Sequence, residues 1–115
     1  DFLYVEGYPT KKRAFYTYPD PLRPKYSRSF DLLLRGLEIV SGSQRLHQYD
    51  DYVKALQERG LPLEPFYSFL EAFKYGMPPH GGFAIGLERW ILRLVEGANI
   101  KETTLFPRDM NRLAP

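Results

Sequence analysis

The chain has 115 residues, 43% hydrophobic and 16% aromatic, which is enough apolar content for one compact domain and excludes a disordered protein. Sixteen Lys and Arg nearly balance fourteen Asp and Glu, which excludes a uniformly cationic surface for nucleic acid or membrane. There is no Cys and no apolar run near the ~20 residues of a membrane span, so we expect a reducing, cytoplasmic setting without a membrane partner.

The amino-terminal quarter predicts β-structure interrupted by prolines. Residues 2–5 and 14–18 are short aromatic and β-branched runs bounded by Gly and Pro, which is typical of strands. A proline-rich loop follows over residues 19–27.

The next segment predicts a β-hairpin that contains two acids. Residues 29–34 and 37–41 are strand-like and are separated by Arg-Gly, the length of a tight turn. With that turn Leu33 pairs with Glu38, so Asp31 shares a sheet face with Glu38 and lies diagonally next to it. Like charges so close are unfavourable unless one acid retains its proton or a cation lies between them. A hard divalent ion takes oxygen ligands of this kind, and magnesium with a nucleotide phosphate fits. The alternatives are an exposed hairpin edge, or one acid paired with the turn arginine.

A polar segment, SGSQRLH over residues 41–47, follows this hairpin. The planar guanidinium of Arg45 matches a carboxylate, so this residue is a candidate for recognising an acidic side chain. The alternative is a solvated turn that caps the next helix.

The second half predicts helices around a glycine-rich strand. Apolar residues at helical spacing predict helices over residues 49–59 and 64–75, each followed by Gly. Residues 81–86 predict a strand that leads into a third helix, whose apolar stripe ends at Gly97. Because strands precede helices, we expect an α+β fold with an antiparallel sheet and helices packed on one side.

The junction between this strand and the third helix, GFAIGLER over residues 82–89, is a candidate nucleotide site. Its glycines allow a ring or phosphate to approach the backbone, the helix start favours anions, and Arg89 lies in the first turn. The alternative is that glycine only relieves crowding under a helix, and no P-loop sequence is present.

Together these segments resemble the class II aminoacyl-tRNA synthetases. Residues 82–89 resemble motif 3, and residues 37–47 resemble the signature of the aspartyl enzymes. The ending, residues 105–115, is similar to the carboxy terminus of the archaeal and eukaryotic type. The resemblance implies that residues 1–115 are the carboxy-terminal part of a class II catalytic domain.

The resemblance also implies individual roles. Asp31, Glu38 and Ser41 would bind magnesium, and Glu38 would contact ATP as well. Arg45 would pair with the side-chain carboxylate of aspartate, with Ser41 and Tyr16 in the same pocket. The nucleotide would lie beside Gly86, Leu87, Glu88 and Arg89.

The implied reaction is attack of the aspartate α-carboxylate on the α-phosphorus of ATP, which gives aspartyl-adenylate and pyrophosphate, followed by transfer to the terminal ribose of tRNA. It requires positioning and charge neutralisation but no protein nucleophile. The implied partners are Mg²⁺, ATP, aspartate and the aspartate tRNA, with the asparagine tRNA left open, in a homodimer.

The sequence departs from the family in two respects. Ala84 stands where the archaeal type has Gly, which we interpret as harmless because the bacterial enzymes tolerate Ala. Motifs 1 and 2 and the anticodon-binding barrel are absent, and motif 2 would carry the arginine that holds the α-phosphate. We therefore expect these 115 residues alone not to form the adenylate. The alternatives are an asparaginyl enzyme, a paralogue that amidates aspartate without tRNA, and a non-catalytic module that retains the fold.

Overall fold

The computed structural model describes residues 1–113, so Ala114 and Pro115 of the predicted carboxy-terminal resemblance lie outside the described residues. Four strands form one antiparallel sheet in the order β1-β2-β3-β4: Phe2–Glu6, Ser29–Leu34, Leu37–Gln44 and Gly81–Ile85. The α-helices of the described chain are α1, α2 and α3: Tyr49–Gln57, Tyr67–Lys74 and Leu87–Leu94. The predicted α+β class is confirmed. No helix within residues 1–113 has the length and apolar content to cross a membrane.

The prediction of a strand over residues 14–18 is wrong. Thr17 forms only an isolated β-bridge with Arg45, and its N–H donates to the Ala14 carbonyl at 3.1 Å, which is a turn. Pro19 forms a second isolated bridge, with Ser27, and the Arg28 N–H donates to the Tyr18 carbonyl at 2.9 Å. The pairing partner therefore changes from residues 44–46 to residues 26–28, and no continuous ladder forms.

The helix predictions are confirmed in position but not in every boundary. The segment predicted as one helix over residues 64–75 is a 3₁₀ turn, Glu64–Phe66, followed by α2. Pro65 lies in the 3₁₀ turn, where its missing N–H costs no internal helical hydrogen bond. Beyond α3, Glu96 has a φ of 54°, so the backbone turns left-handed just before the predicted stop at Gly97.

The predicted hairpin is confirmed, but its second strand runs to Gln44, three residues beyond its predicted end at residue 41. The first four residues of the polar segment, residues 41–44, are therefore strand and not turn. The turn residues Arg35 and Gly36 have φ angles of 48° and 79°, the left-handed pair that a type I′ turn requires. Glycine adopts this conformation freely, but for arginine it is uncommon. The Arg35 guanidinium lies 3.3 Å from Glu96 Oε1 and 3.9 Å from Asp1 Oδ2, two exposed ion pairs around the turn.

The pairing of β2 with β3 differs from the predicted register by one residue. A regular count from the turn places Ser41 opposite Phe30, yet Ser41 Oγ donates to Asp31 Oδ1 at 2.7 Å. A Cβ added to Gly42 would lie 2.6 Å from the Phe30 ring, so these two residues also face each other. One extra residue is therefore accommodated between the turn and Ser41, as in a β-bulge. The prediction that Asp31 and Glu38 share a sheet face assumes regular pairing, so it stays a prediction.

The chain divides into two compact units. The first contains Asp1–Val5, Asp31–Ser41 and the chain from Ala84 onward, which includes α3. The second contains Glu6–Phe30 and Gly42–Phe83, which includes α1 and α2. A buried cluster forms the core of the second unit: Leu46, Tyr52, Leu56, Leu70 and Phe73.

Candidate functional site

The first unit holds a buried carboxylate at the centre of the sheet. Asp31 is only 3% exposed, and a buried carboxylate is costly unless hydrogen bonds or a cation compensate it. The hydroxyl of Ser41 supplies one such hydrogen bond at 2.7 Å. The one-residue register shift brings this hydroxyl to Asp31, since regular pairing would put the two residues on opposite faces.

A second polar pair of the same unit joins β3 to the start of α3. Arg89 Nη1 donates to the Glu38 carbonyl at 3.0 Å and to Glu38 Oε1 at 3.3 Å. The Gly86 N–H donates to the Ile39 carbonyl at 2.8 Å, which anchors the start of α3 to β3. A Cβ on Gly86 would lie 3.3 Å from Arg89 Cδ, so glycine gives the arginine stem room to fold back toward Glu38.

The Arg89–Glu38 pair is accessible to a ligand. The two side chains are 46% and 44% exposed, and an ion pair so exposed adds about 0–1 kcal/mol to stability. Leu87 and Glu88 are also exposed, in the first turn of α3. The structure thus groups Glu38, Gly86, Leu87, Glu88 and Arg89 at one junction of strand and helix.

The oxygen donors of this unit suit magnesium shared with a ligand. Within residues 1–113 no group of three or more His, Cys, Asp or Glu side chains could hold a metal ion by itself. Magnesium, however, usually takes one or two protein carboxylates together with substrate phosphates. Asp31, Glu38 and the hydroxyl of Ser41 match that donor chemistry.

The second unit holds a cation on an aromatic surface. The Arg45 guanidinium lies 4.2 Å from the centre of the Tyr16 ring, and the Arg45 N–H donates to the His80 carbonyl at 2.9 Å. A Cβ on Gly82 would lie 3.7 Å from Arg45 Nη2, so the guanidinium also runs along the glycine strand. No carboxylate of the described residues forms an ion pair with Arg45. Its charge is therefore available to an anionic ligand.

This guanidinium opens onto a cavity of about 300 Å³, at the lower end of the roughly 300–1,000 Å³ typical of small-ligand pockets. Burial raises the pKa of Tyr52 to about 12, and the nearby Arg45 charge opposes that rise. His80 Nδ1 lies 3.0 Å from the Pro78 carbonyl, which fixes the imidazole ring. The cavity lining consists of Tyr16, Arg45, Tyr52, Phe69, Phe73, His80 and Gly81.

The residues predicted for metal and nucleotide lie in the first unit, whereas Tyr16 and Arg45 lie in the second. Ser41, predicted for both metal and aspartate, lies in the first. The sequence interpretation missed Tyr52 and His80 as lining residues of the cavity. Tyr52 occurs at the apolar spacing of α1, which predicts a core residue and not a cavity lining. For His80 the sequence offers only one indication, its position just before the glycine-rich strand.

The sequence pattern of the family described as tRNA synthetases class II (D, K and N) matches residues 1–110. The Aspartate--tRNA(Asp/Asn) ligase of Thermus thermophilus is 51% identical over 115 residues, 100% of this chain and 27% of that protein. The Aspartate--tRNA(Asp) ligase of Picrophilus torridus is 50% identical over 114 residues, 99% of this chain and 26% of that protein. The chain thus spans about a quarter of the length of the curated relatives it matches.

Solved structures give the same fold. The aspartyl-tRNA synthetase of Entamoeba histolytica superimposes with a TM-score of 0.92 at 42% identity, covering 100% of this chain and 24% of that one. The asparaginyl-tRNA synthetase of the same organism, in complex with asparaginyl-adenylate, has a TM-score of 0.91 at 36% identity, covering 99% and 26%.

Proposed function

Because this chain belongs to the class II tRNA synthetases of the D, K and N group, we propose that it is the part of an aspartate–tRNA ligase that binds ATP, magnesium and aspartate. In the proposed reaction an oxygen of the aspartate α-carboxylate forms a bond to the α-phosphorus of ATP. The bond from that phosphorus to the bridging oxygen of the β-phosphate breaks, and pyrophosphate leaves with the bonding electron pair. The resulting aspartyl-adenylate then donates its aspartyl group to the terminal ribose of tRNA, and AMP leaves.

The observation that supports aspartate as the substrate is that the Arg45 guanidinium has no carboxylate partner within the described chain. Its guanidinium stacks on Tyr16 at 4.2 Å and has no ion-pair partner among the described carboxylates. A substrate carboxylate would form a charge-assisted, two-pronged hydrogen bond with such a group. An amide side chain would leave the cation uncompensated, which favours aspartate over asparagine.

Binding of ATP is assigned to the strand–helix junction of the first unit. Arg89 would contact the nucleotide, and Gly86, Leu87 and Glu88 would lie beside it. The present bond from Arg89 to Glu38 Oε1 at 3.3 Å keeps the guanidinium in an accessible position before the ligand arrives. Such preorganisation reduces the entropy lost on binding.

Asp31, Glu38 and Ser41 would hold magnesium. The bound ion would supply positive charge that offsets the negative charge of the triphosphate. Ser41 would orient Asp31 through the hydrogen bond described above, and its hydroxyl would also reach the aspartate. The proposed reaction uses no protein nucleophile. It depends on positioning of the substrates and on electrostatic stabilisation.

We extend the proposal to the intact protein as a cytoplasmic homodimer that charges the aspartate tRNA, with the asparagine tRNA as a further acceptor to be tested. The two aspartate–tRNA ligases named above support the tRNA partner. We expect the 115 residues alone to form no adenylate, because the resemblance assigns the contact with the α-phosphate to a motif outside them. Pyrophosphate exchange by the isolated chain would contradict that expectation.

The experiment is aspartate-dependent ATP–pyrophosphate exchange by the intact protein and its Arg45→Ala variant. Removing one partner of a desolvated charge pair costs roughly 2–5 kcal/mol, so kcat/KM for aspartate should fall at least about 30-fold. Arg59→Ala is the matched control, since it removes an exposed arginine of the same unit and should leave exchange unchanged. Exchange near wild-type level in Arg45→Ala would refute aspartate recognition by this residue.

Activation of asparagine is the second candidate, because an asparaginyl-tRNA synthetase bound to its adenylate superimposes with a TM-score of 0.91. The same exchange assay with asparagine in place of aspartate separates the two. We expect aspartate to be the preferred substrate, and a preference for asparagine would replace the proposal with this alternative.

A further inference from the structure

The basic side chains of this chain are distributed unevenly. Residues 8–28, which we call the basic ribbon, contain six Lys and Arg against one Asp, a formal charge of +5. The whole chain has a formal charge of +2, so all other residues together sum to −3. A local surplus of this size within a nearly neutral chain indicates a surface for a polyanion.

Backbone hydrogen bonds bring the two ends of the ribbon side by side. The Thr10 N–H donates to the Lys25 carbonyl at 2.9 Å, and Thr10 Oγ1 donates to the Pro24 carbonyl at 2.9 Å. The Ser27 N–H donates to the Tyr8 carbonyl at 2.8 Å, which continues the pairing. Lys25 therefore lies beside the start of the 3₁₀ turn Thr10–Lys12, which contributes two more lysines.

The charges of the ribbon lysines are not neutralised by carboxylates of the described chain. Lys11, Lys12 and Lys25 are exposed, and none forms an ion pair with any described residue. Their ammonium groups are free to replace the counterions of a phosphate backbone, which is the main source of affinity for nucleic acids.

Tyrosine rings support the arginines of the ribbon. Each guanidinium carbon lies within 6 Å of a ring centre: Arg13 over Tyr8 at 4.0 Å, Arg23 over Tyr26 at 5.7 Å and Arg28 over Tyr18 at 5.8 Å. The arginines also have polar partners within the chain: Arg13 Nε donates to Ser29 Oγ at 2.9 Å, Arg28 Nη1 donates to Gln44 Oε1 at 3.0 Å, and Arg23 lies 3.9 Å from Asp20 Oδ2. Stacking and these contacts restrict the arginine side chains, so the lysines carry the uncompensated charge of the ribbon. Arginine and aromatic groups side by side are typical of sites that bind single-stranded or unpaired nucleotides.

We propose that the basic ribbon is an RNA-binding surface that contacts tRNA phosphates through Lys11, Lys12 and Lys25. The identity of the RNA as a tRNA rests on the proposed function, whereas the phosphate contact rests on the charge and exposure of the ribbon. A membrane surface fits less well, because Leu22 is the one large aliphatic side chain that the ribbon exposes. Membrane-surface helices combine a broad apolar face with basic residues, which this ribbon lacks.

The test uses the intact protein and an aspartate tRNA transcript, with binding followed by fluorescence anisotropy from 50 to 200 mM KCl. The variant K11Q/K12Q/K25Q removes the three ribbon lysines. Since each phosphate contact contributes about 0.9 to the slope of log affinity against log salt, the slope should become shallower by about 2–3 units. At 50 mM KCl we expect tRNA binding to weaken by roughly 10-fold or more.

The sequence supplies a matched control, because its remaining three lysines lie outside the ribbon and are also exposed: Lys54, Lys74 and Lys101. K54Q/K74Q/K101Q makes the same change in net charge and should retain the wild-type slope. An unchanged slope in the ribbon variant would overturn the proposal, as would equal losses in both variants. Loss of binding to phosphatidylserine vesicles with tRNA binding intact would assign the ribbon to membranes instead.

Aspartate-dependent pyrophosphate exchange separates this proposal from the proposed function, because activation precedes any step with tRNA. We expect K11Q/K12Q/K25Q to exchange at the wild-type rate. A wild-type protein without exchange whose tRNA binding still depends on the ribbon lysines would refute the ligase and leave the RNA surface standing.

Discussion

The two compact units differ in how they bury their apolar residues. In the second unit, α1 and α2 contribute Tyr52, Leu56, Leu70 and Phe73 to a buried cluster. In the first unit, α3 has a strongly amphipathic sequence but no buried residue, and Leu94 is 66% exposed. An apolar stripe thus shows which face of a helix is suited to burial, but a packing partner is needed to bury it.

The polar groups of the candidate site show the opposite contrast. In the first unit Arg89 is already bonded to Glu38, and Ser41 to Asp31. In the second unit Arg45 has an aromatic support but no carboxylate partner within the described chain. The second unit, which has the buried aromatic cluster, therefore presents a cation without a carboxylate partner among the described residues. The first unit, whose helix α3 buries no residue, presents polar groups that are already hydrogen-bonded. A ligand of the first unit must exchange existing bonds, whereas a ligand of the second completes a missing one.

The core contrast predicts the largest effect. Leu56 is 0% exposed, so Leu56→Ala in this chain should lower the free energy of unfolding by about 3 kcal/mol through lost burial and a cavity. Leu94→Ala makes the same chemical change on the exposed face of α3 and should stay within about 0.5 kcal/mol of wild type. Urea unfolding measures both. Similar losses of unfolding free energy in the two variants would mean that the difference in burial does not affect stability.

The charge contrast predicts an intermediate effect. If the Arg89 guanidinium exchanges Glu38 for the nucleotide, Arg89→Ala in the intact protein should raise the KM for ATP about 10-fold, the loss of one charge-assisted hydrogen bond. Arg35→Ala, which removes an exposed ion pair with Glu96 in the same unit, should leave that KM unchanged. Steady-state pyrophosphate exchange at varied ATP measures both. Equal KM values in the two variants would reduce the Arg89–Glu38 pair to a surface ion pair.

A further effect concerns the alkaline stability of the second unit. Burial raises the pKa of Tyr52 from 10.0 to about 12, so the folded state favours the neutral phenol. The unfolded chain loses this proton first, and the stabilisation is complete below pH 10 and disappears as the pH rises from 10 toward 12. In urea unfolding of this chain, stability should fall less steeply over that range in Tyr52→Phe than in wild type. Identical slopes would show that the phenol does not titrate differently on folding.

Most of the local structure can be predicted from the amino-acid sequence alone. The hairpin with its Arg-Gly turn, the positions of the helices and the glycine strand before α3 all follow from local spacing and turn chemistry. The aromatic content of residues 14–18 favours a strand, but that prediction is wrong: the Thr17 N–H closes a turn onto Ala14, and the isolated bridges of Thr17 and Pro19 pair with different segments. The family resemblance, carried by residues 37–47 and 82–89, was likewise readable before any coordinates.

Which of these residues contact one another depends on the tertiary fold. Ser41 reaches Asp31 because the strand register is shifted by one residue, and no count along the chain reveals that shift. Tyr52 lines the same cavity as Arg45, although its helical spacing predicts only a core residue. Local sequence fixes the backbone preference of each segment, because that preference depends on near neighbours. Partners distant in sequence are fixed by register and packing, which depend on the whole folded chain.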